Sequence, residues 1–328
     1  MDNLNRQTWI SFLRVIAMLF IVGCHLAIES SIQMIQLASQ FLNVGVQIFF
    51  MISGFLFGYR KADDNVFQWY QRRAKRIFPV YYCFLLILLM IYLITGQKLI
   101  LKNWLVSICC LQGIQIYLYG AEHLWFLSVL CLCYIITPAL NVLRRKSSGC
   151  LWMVVLTGSV LGQMITTYFI STQLGIYWMD LNLYMIAYLY GVYHKVLIEK
   201  TGVCLAVLLL AFGVIGRLAG RGLCDGTVTY DVMIVGITQG LIASGLFLFV
   251  EKLWHRRSKV IEFLDGISFE VYLTHYMLIV GPISLMGTTK YYVVNVLLVI
   301  VSAIVLSILL KIVVQWLMNG YIKNMIKG

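Results

Sequence analysis

Charge is what this sequence has least of. Of its 328 residues only 12% are Asp, Glu, Lys or Arg, while 61% are hydrophobic. Soluble domains carry about 25% charged residues, so the shortfall excludes a soluble globular chain. At a mean hydropathy of +0.89 no soluble domain of useful size is left over. Acids are scarcer than bases, 13 against 25 Lys and Arg, for a formal net charge of +12. The placement of those bases, described below, marks membrane topology and not a nucleic-acid partner. Several site signatures are also missing. There is no C-x-x-C pair, no two histidines stand at i and i+4, and neither a phosphate-binding glycine loop nor a G-x-S-x-G elbow occurs. No metal is therefore expected. The nine cysteines lie mostly inside apolar runs, as at Cys24, Cys83 and Cys133, and read as small buried hydrophobes. No internal repeat and no low-complexity linker is present.

What the sequence does have is long apolar stretches. About 20 such residues cross a bilayer as a helix, and runs of this length without alternation are not strands. Ten spans are expected, at 9–28, 42–60, 78–96, 121–141, 150–170, 178–195, 202–219, 231–251, 265–286 and 291–316. The fold class is thus all-α, a polytopic membrane protein read as one domain over 1–328. The stretch 99–119, interrupted by Gln112, Gly113 and Gln115, reads as a surface or re-entrant segment. The first span carries Arg14 and lacks a small-residue cleavage site, so it does not read as a cleaved signal.

With ten spans, one side of the membrane holds Arg6, Arg60, Lys61, Arg72, Arg73, Lys75, Arg76, Arg144, Arg145, Lys146, Lys195, Lys200, Lys252, Arg256, Arg257, Lys259, Lys323 and Lys327. The other holds only Lys98, Lys102, Arg217, Arg221 and Lys290. Lys/Arg excess marks the cytoplasm, so both termini are expected there. An eleventh span would move the later clusters outside. His25, His123 and His275 then fall in the outer half of the membrane, and His194 and His255 at cytoplasmic ends.

The first span, WISFLRVIAMLFIVGCHLA, places two ionisable residues in hydrocarbon. Each costs about 2.5–3.5 kcal/mol at the bilayer centre on insertion scales, so such residues usually turn toward partners or water. Arg14 and His25 are eleven residues apart. At about 100° per residue that is nearly one helical face, and at 1.5 Å rise about 16 Å of separation. An imidazole can take a proton from a hydroxyl and return it, with Glu29, one turn on, as a candidate to orient it. The alternative is a histidine satisfied at a helix contact. Arg14 either snorkels to the headgroups or meets a phosphate or carboxylate. Arg73 and Arg76, three apart on one face, are either topology signal and lipid contact or a polyphosphate clamp. In ISFEVYLTHYML, Ser268, Tyr272 and His275 form a polar stripe, with Glu270 pointing elsewhere toward a basic loop. Asp180 and Asn182 either line the outer cavity or lie exposed at headgroup level. Gly54 and Gly58, four apart, read as a close helix contact.

Five segments in order, WISFLRVIAMLFIVGCH, VGVQIFFMISGFL, RRAKRIFP, HLWFLSVLCLCYIITP and ISFEVYLTH, resemble the acyltransferase 3 family of bacterial integral-membrane acyltransferases. They span about 10 to 275, and the likeness is to members without a fused soluble domain. Gln47 departs from the acid or proline that many members carry. The resemblance implies a ten-helix core in the bacterial cytoplasmic membrane that takes an acyl group, usually acetyl, from cytoplasmic acetyl-CoA. The acceptor is a hydroxyl of an envelope glycan or glycolipid. The family's functional residues map onto His25 (base, with Glu29 as its candidate orienter), Arg14, Arg73 and Arg76 (CoA phosphates). Glu29, His123 and His275 are second-tier candidates for orienting His25 or binding the acceptor, and Ser268 and Tyr272 are further acceptor-side candidates. General-base transfer and an acyl-histidine intermediate both remain open. A transporter or flippase of an envelope precursor is the competing class, since intramembrane Arg and His also mark transport pathways.

Overall fold

A computed structural model describes residues 3–60, 65–224 and 226–325; Lys61 and Lys327 lie outside the described residues. No strand occurs among them. Eight helical stretches are long and apolar enough to cross a membrane: Thr8–Ile28, Gln33–Tyr59, Val66–Thr95, Glu122–Lys146, Ser148–Ile170, Val203–Cys224, Thr229–Leu253 and Tyr292–Asn319. Two further helices, Thr172–Val192 and Lys259–Ile279, have 21 residues each. At 1.5 Å per residue that is about 31 Å, the thickness of the hydrocarbon core. They fall short on hydropathy because they carry Asp180 and Asn182 in one, and Glu262, Asp265 and Glu270 in the other. They are also well buried, with twelve and eleven residues inside the protein. Polar residues in a span face protein, not lipid. Every one of the ten expected spans therefore overlaps a helix.

The helices are α1 (Asn3–Ile28), α2 (Gln33–Leu42), α3 (Gly45–Tyr59), α4 (Val66–Thr95), α5 (Leu101–Ile108), α6 (Trp125–Lys146), α7 (Ser148–Ile165), α8 (Thr172–Val192), α9 (His194–Lys200), α10 (Val203–Cys224), α11 (Val235–Leu253), α12 (Lys259–Ile279) and α13 (Tyr292–Met325). Helix α4 starts twelve residues before the expected span at 78. Arg72–Arg76 thus lies on the same helix as the span and not on a separate segment. Pro79 is inside that helix and removes a single backbone bond without ending it. The 99–119 stretch forms α5, eight residues and about 12 Å long, followed by a 3-10 turn. It does not cross. Its backbone is held by Tyr81 donating to Ser107 O (2.6 Å), Tyr92 to Tyr119 O (2.8 Å) and Asn103 to Tyr117 O (2.6 Å). Irregular backbone at membrane depth requires such partners.

The chain forms two compact units. The first comprises 1–21, 40–66 and 129–262. Its core is built on Trp9, Phe55 and Phe247, all buried, with ring centroids 5.1–5.5 Å apart. Helices α3 and α8 meet through glycine. A methyl at Gly54 would strike the carbonyl oxygen of Tyr184, and one at Gly58 that of Tyr188, so the two backbones touch. Asp180 and Asn182 are buried and not exposed. Asp180 accepts from Gln47 Nε2 (2.9 Å), and Asn182 donates to Gln163 Oε1 (3.2 Å). His194 and Glu251 pair at 2.7 Å, with Tyr190 donating to the other carboxylate oxygen at 2.7 Å. Arg217, read as an outer-side charge, is buried within α10 and donates to Thr238 Oγ1, Gln40 O and Val235 O.

The second unit comprises 22–39, 67–128 and 263–328. It contains the end of α1, most of α4, α5, most of α12, and α13. Thr274 and Ser307 share a hydrogen bond (3.0 Å), Lys311 donates to Gly266 O (2.6 Å), and Tyr292 donates to Leu26 O (2.7 Å). These join α13 to α12 and to the last turn of α1.

Gly54→Ala should lower the melting midpoint in detergent, since overpacking costs about 1–3 kcal/mol. Gly158→Ala, where an added methyl meets nothing within 4 Å, should leave the midpoint unchanged or raise it. Equal midpoints for the two variants would contradict the α3–α8 contact.

Candidate active site

The second unit gathers three of the five histidines. His25 comes from the last turn of α1, His123 from the 3-10 turn Glu122–Leu124 before α6, and His275 from α12. Ring centroids stand 5.3 Å apart for His25 and His275 and 5.0 Å for His123 and His275. Tyr276 closes the group, edge-on to His25 at 4.7 Å and stacked on His123 at 5.0 Å. His123 and His275 are buried, whereas His25 and Tyr276 are half-buried.

The backbone explains how these elements converge. Gly120 has φ +82°, in the left-handed region that glycine occupies without penalty. A methyl there would stand 2.7 Å from Gly281 Cα, just past the end of α12. The approach of these two glycines lays the Glu122–Leu124 turn beside α12. Tyr272 then fixes it, donating its hydroxyl proton to His123 O at 2.5 Å.

The expected residues divide accordingly. His25, His123, Tyr272 and His275 come together. Ser268 donates to Asp265 O (2.9 Å) in its own helix, so its proton and that of Tyr272 are both committed to backbone. Glu29 is exposed in the turn after α1, and its charge bears on Tyr276 and Tyr292. The rings packed on His25 are those of His275 and Tyr276. Arg73 and Arg76 lie near the start of α4, Arg73 half-buried with its guanidinium 6.0 Å from the Trp69 ring centroid. Arg76 is exposed and, with Lys311, acts on the buried Glu270 carboxylate. Glu270 precedes His275 by five residues, about 7.5 Å of helix rise. Arg14 is half-buried on α1 in the first unit.

Two residues here escaped the sequence reading. Tyr276 sits four after Tyr272, on the same stripe, and that spacing was available. Glu122 is the acid whose charge bears on Tyr276 and Tyr92. Its only sequence signal is adjacency to His123. Among the described residues no group of three His, Cys, Asp or Glu side chains could hold a metal ion.

Gly120→Ala should lower the melting midpoint more than Gly96→Ala. Both positions have positive φ, so each pays the left-handed penalty of about 1–2 kcal/mol. Only Gly120 also meets backbone, for nothing lies within 4 Å of a methyl at Gly96. Equal losses would place the Glu122–Leu124 turn away from α12.

The clustered side chains are those of the first, fourth and fifth segments quoted above. No curated protein and no solved structure matches the chain. One family model, described as an acyltransferase domain, matches residues 7–316. A match of that length, together with the apolar helices, makes the protein a membrane-embedded member of the acyltransferase 3 family.

Proposed function

We propose that this membrane acyltransferase is an O-acyltransferase, moving an acetyl group from cytoplasmic acetyl-CoA to a hydroxyl of an extracytoplasmic envelope glycan or glycolipid. The observation that carries the reading is the half-buried His25 ring packed against the buried His275 and the half-buried Tyr276. Such a ring meets substrate on one edge and protein on the other. The cation distribution supports a cytoplasmic donor: Arg73 and Arg76 fall on the Lys/Arg-rich side, and His25 stands toward the opposite end of α1.

In this reading His25 takes the acceptor hydroxyl proton as the oxygen bonds to the thioester carbonyl carbon. The C–S bond then breaks, and the departing CoA sulfur takes that proton from His25. The imidazole ends as it began, and the chain supplies base and acid in turn. Arg73 and Arg76 hold the CoA phosphates by charge-assisted hydrogen bonds.

Two measurements test this. Arg73→Ala and Arg76→Ala should each raise KM for acetyl-CoA about tenfold to a hundredfold, the loss of one charged hydrogen bond of about 1.5–3 kcal/mol, with a smaller change in kcat. An unchanged KM would remove the phosphate role. Deleting the gene should strip an acetyl mass increment from a surface glycan, and its return should restore it. Unaltered glycan masses would exclude this acceptor class.

A further inference from the structure

The hydrogen bonding of His275 fixes which of its nitrogens bears a proton. Nδ1 lies 3.1 Å from Val271 O and 2.8 Å from Tyr272 O. Carbonyl oxygens only accept, so Nδ1 must donate. In a neutral imidazole one nitrogen is N–H and the other a lone pair. Nε2 of His275 is then an acceptor, and it is buried without a hydrogen-bond partner in the structure. A buried acceptor left unmet costs about 1–3 kcal/mol, so a donor belongs there.

The structure holds no hydrogen bond between His25 and His275, but the His25 ring stands close enough for a small rotation to supply that donor. A hydrogen bond between two imidazoles needs about 3 Å from nitrogen to nitrogen, and adding the two ring radii gives about 5 Å between centroids. The His25–His275 separation is 5.3 Å. Of the three clustered histidines, His25 is the half-buried one. His123 is equally near His275, at 5.0 Å, but it is buried and stacked on Tyr276.

We propose that His275 is the positioning residue for His25: its Nε2 lone pair accepts the His25 N–H, which fixes the His25 tautomer and turns the other His25 nitrogen, as a lone pair, toward the acceptor hydroxyl. A neutral imidazole locked by its own helix backbone thus takes the orienting place that a carboxylate holds in other base pairs. With no carboxylate bound to it, His25 cannot rest as a compensated imidazolium. The proton it gains has to move on to the departing sulfur. The catalytic consequence rests on the reading of His25 as the base, but the tautomer assignment does not.

The test uses the full chain in nanodiscs with 15N-labelled histidine. NMR should show His275 protonated at Nδ1 and bare at Nε2, assigned by comparison with His194→Gln, His255→Gln and His123→Gln. His25 should show a single tautomer, and His275→Phe should convert it to a mixture. His275→Phe should lower kcat about tenfold, the worth of a hydrogen bond of about 1.4 kcal/mol, with KM for acetyl-CoA unchanged. His275→Gln, whose carbonyl can accept the same proton, should recover most of kcat. A proton on His275 Nε2, or a His25 tautomer indifferent to His275→Phe, would overturn the proposal. So would a His123 tautomer that depends on His275 while that of His25 does not. Because the wild-type spectrum decides the His275 tautomer, a variant that fails to fold leaves the proposal testable. If His25→Ala kept full activity while the tautomers were as stated, the function assigned to His25 would fail and the hydrogen bond would stand.

Discussion

The structure depends on one constraint: inside hydrocarbon there is no water to satisfy a polar group, so each must find its partner in the protein. The two least apolar membrane-length helices obey it most visibly. Helix α8 carries Asp180 and Asn182 and buries twelve of its 21 residues; α12 carries Glu270, Thr274 and His275 and buries eleven of 21. By contrast α7 and α10 are only about a fifth buried in their apolar windows and show lipid little besides hydrocarbon. The same constraint accounts for the His194–Glu251–Tyr190 group, and for Arg217, whose guanidinium holds carbonyls at Gln40 and Val235. These are the partners that water would otherwise provide.

Polar groups with such partners are structural; buried ones without them occur in both units, at Trp9, Asn43 and Asp180 Oδ2 as well as among the clustered histidines. The ring nitrogens of His123 and Nε2 of His275 are buried with no hydrogen-bond partner, in the unit where His25 is half-open. Ser268 and Tyr272 have given their protons to backbone. The cluster is therefore best described as imidazoles in a tyrosine frame, with Glu122 and Glu29 acting at the distance of Tyr276.

Much of this was legible in the sequence. Long apolar runs located all ten membrane-length helices. Combining each span's direction with the position of its histidine brought His25, His123 and His275 to one depth. What could not be read was lateral placement, because hydropathy carries no information about which faces meet. Asp180 finds Gln47, 133 residues away, and nothing in either segment announces the pair. Glu29 stood out as a partner for His25 because helix spacing favoured it, yet α1 ends at Ile28 and leaves Glu29 in an exposed turn. The approach of Gly120 to Gly281, which lays His123 beside α12, depends on a backbone angle that sequence shows only as two unremarked glycines. Arg217 misled for a related reason: a lone arginine near a span end reads as a loop charge until the buried carbonyls around it are seen.

In the proposed acyl transfer the reaction turns on His25. The most direct measurement is acceptor-dependent release of free CoA from acetyl-CoA by the purified protein in nanodiscs, wild type against His25→Ala matched for melting midpoint. General-base catalysis contributes about 10²- to 10⁴-fold, so release should fall by at least about a hundredfold, with acetyl-CoA binding retained. Undiminished release by a folded His25→Ala protein would contradict the central assignment.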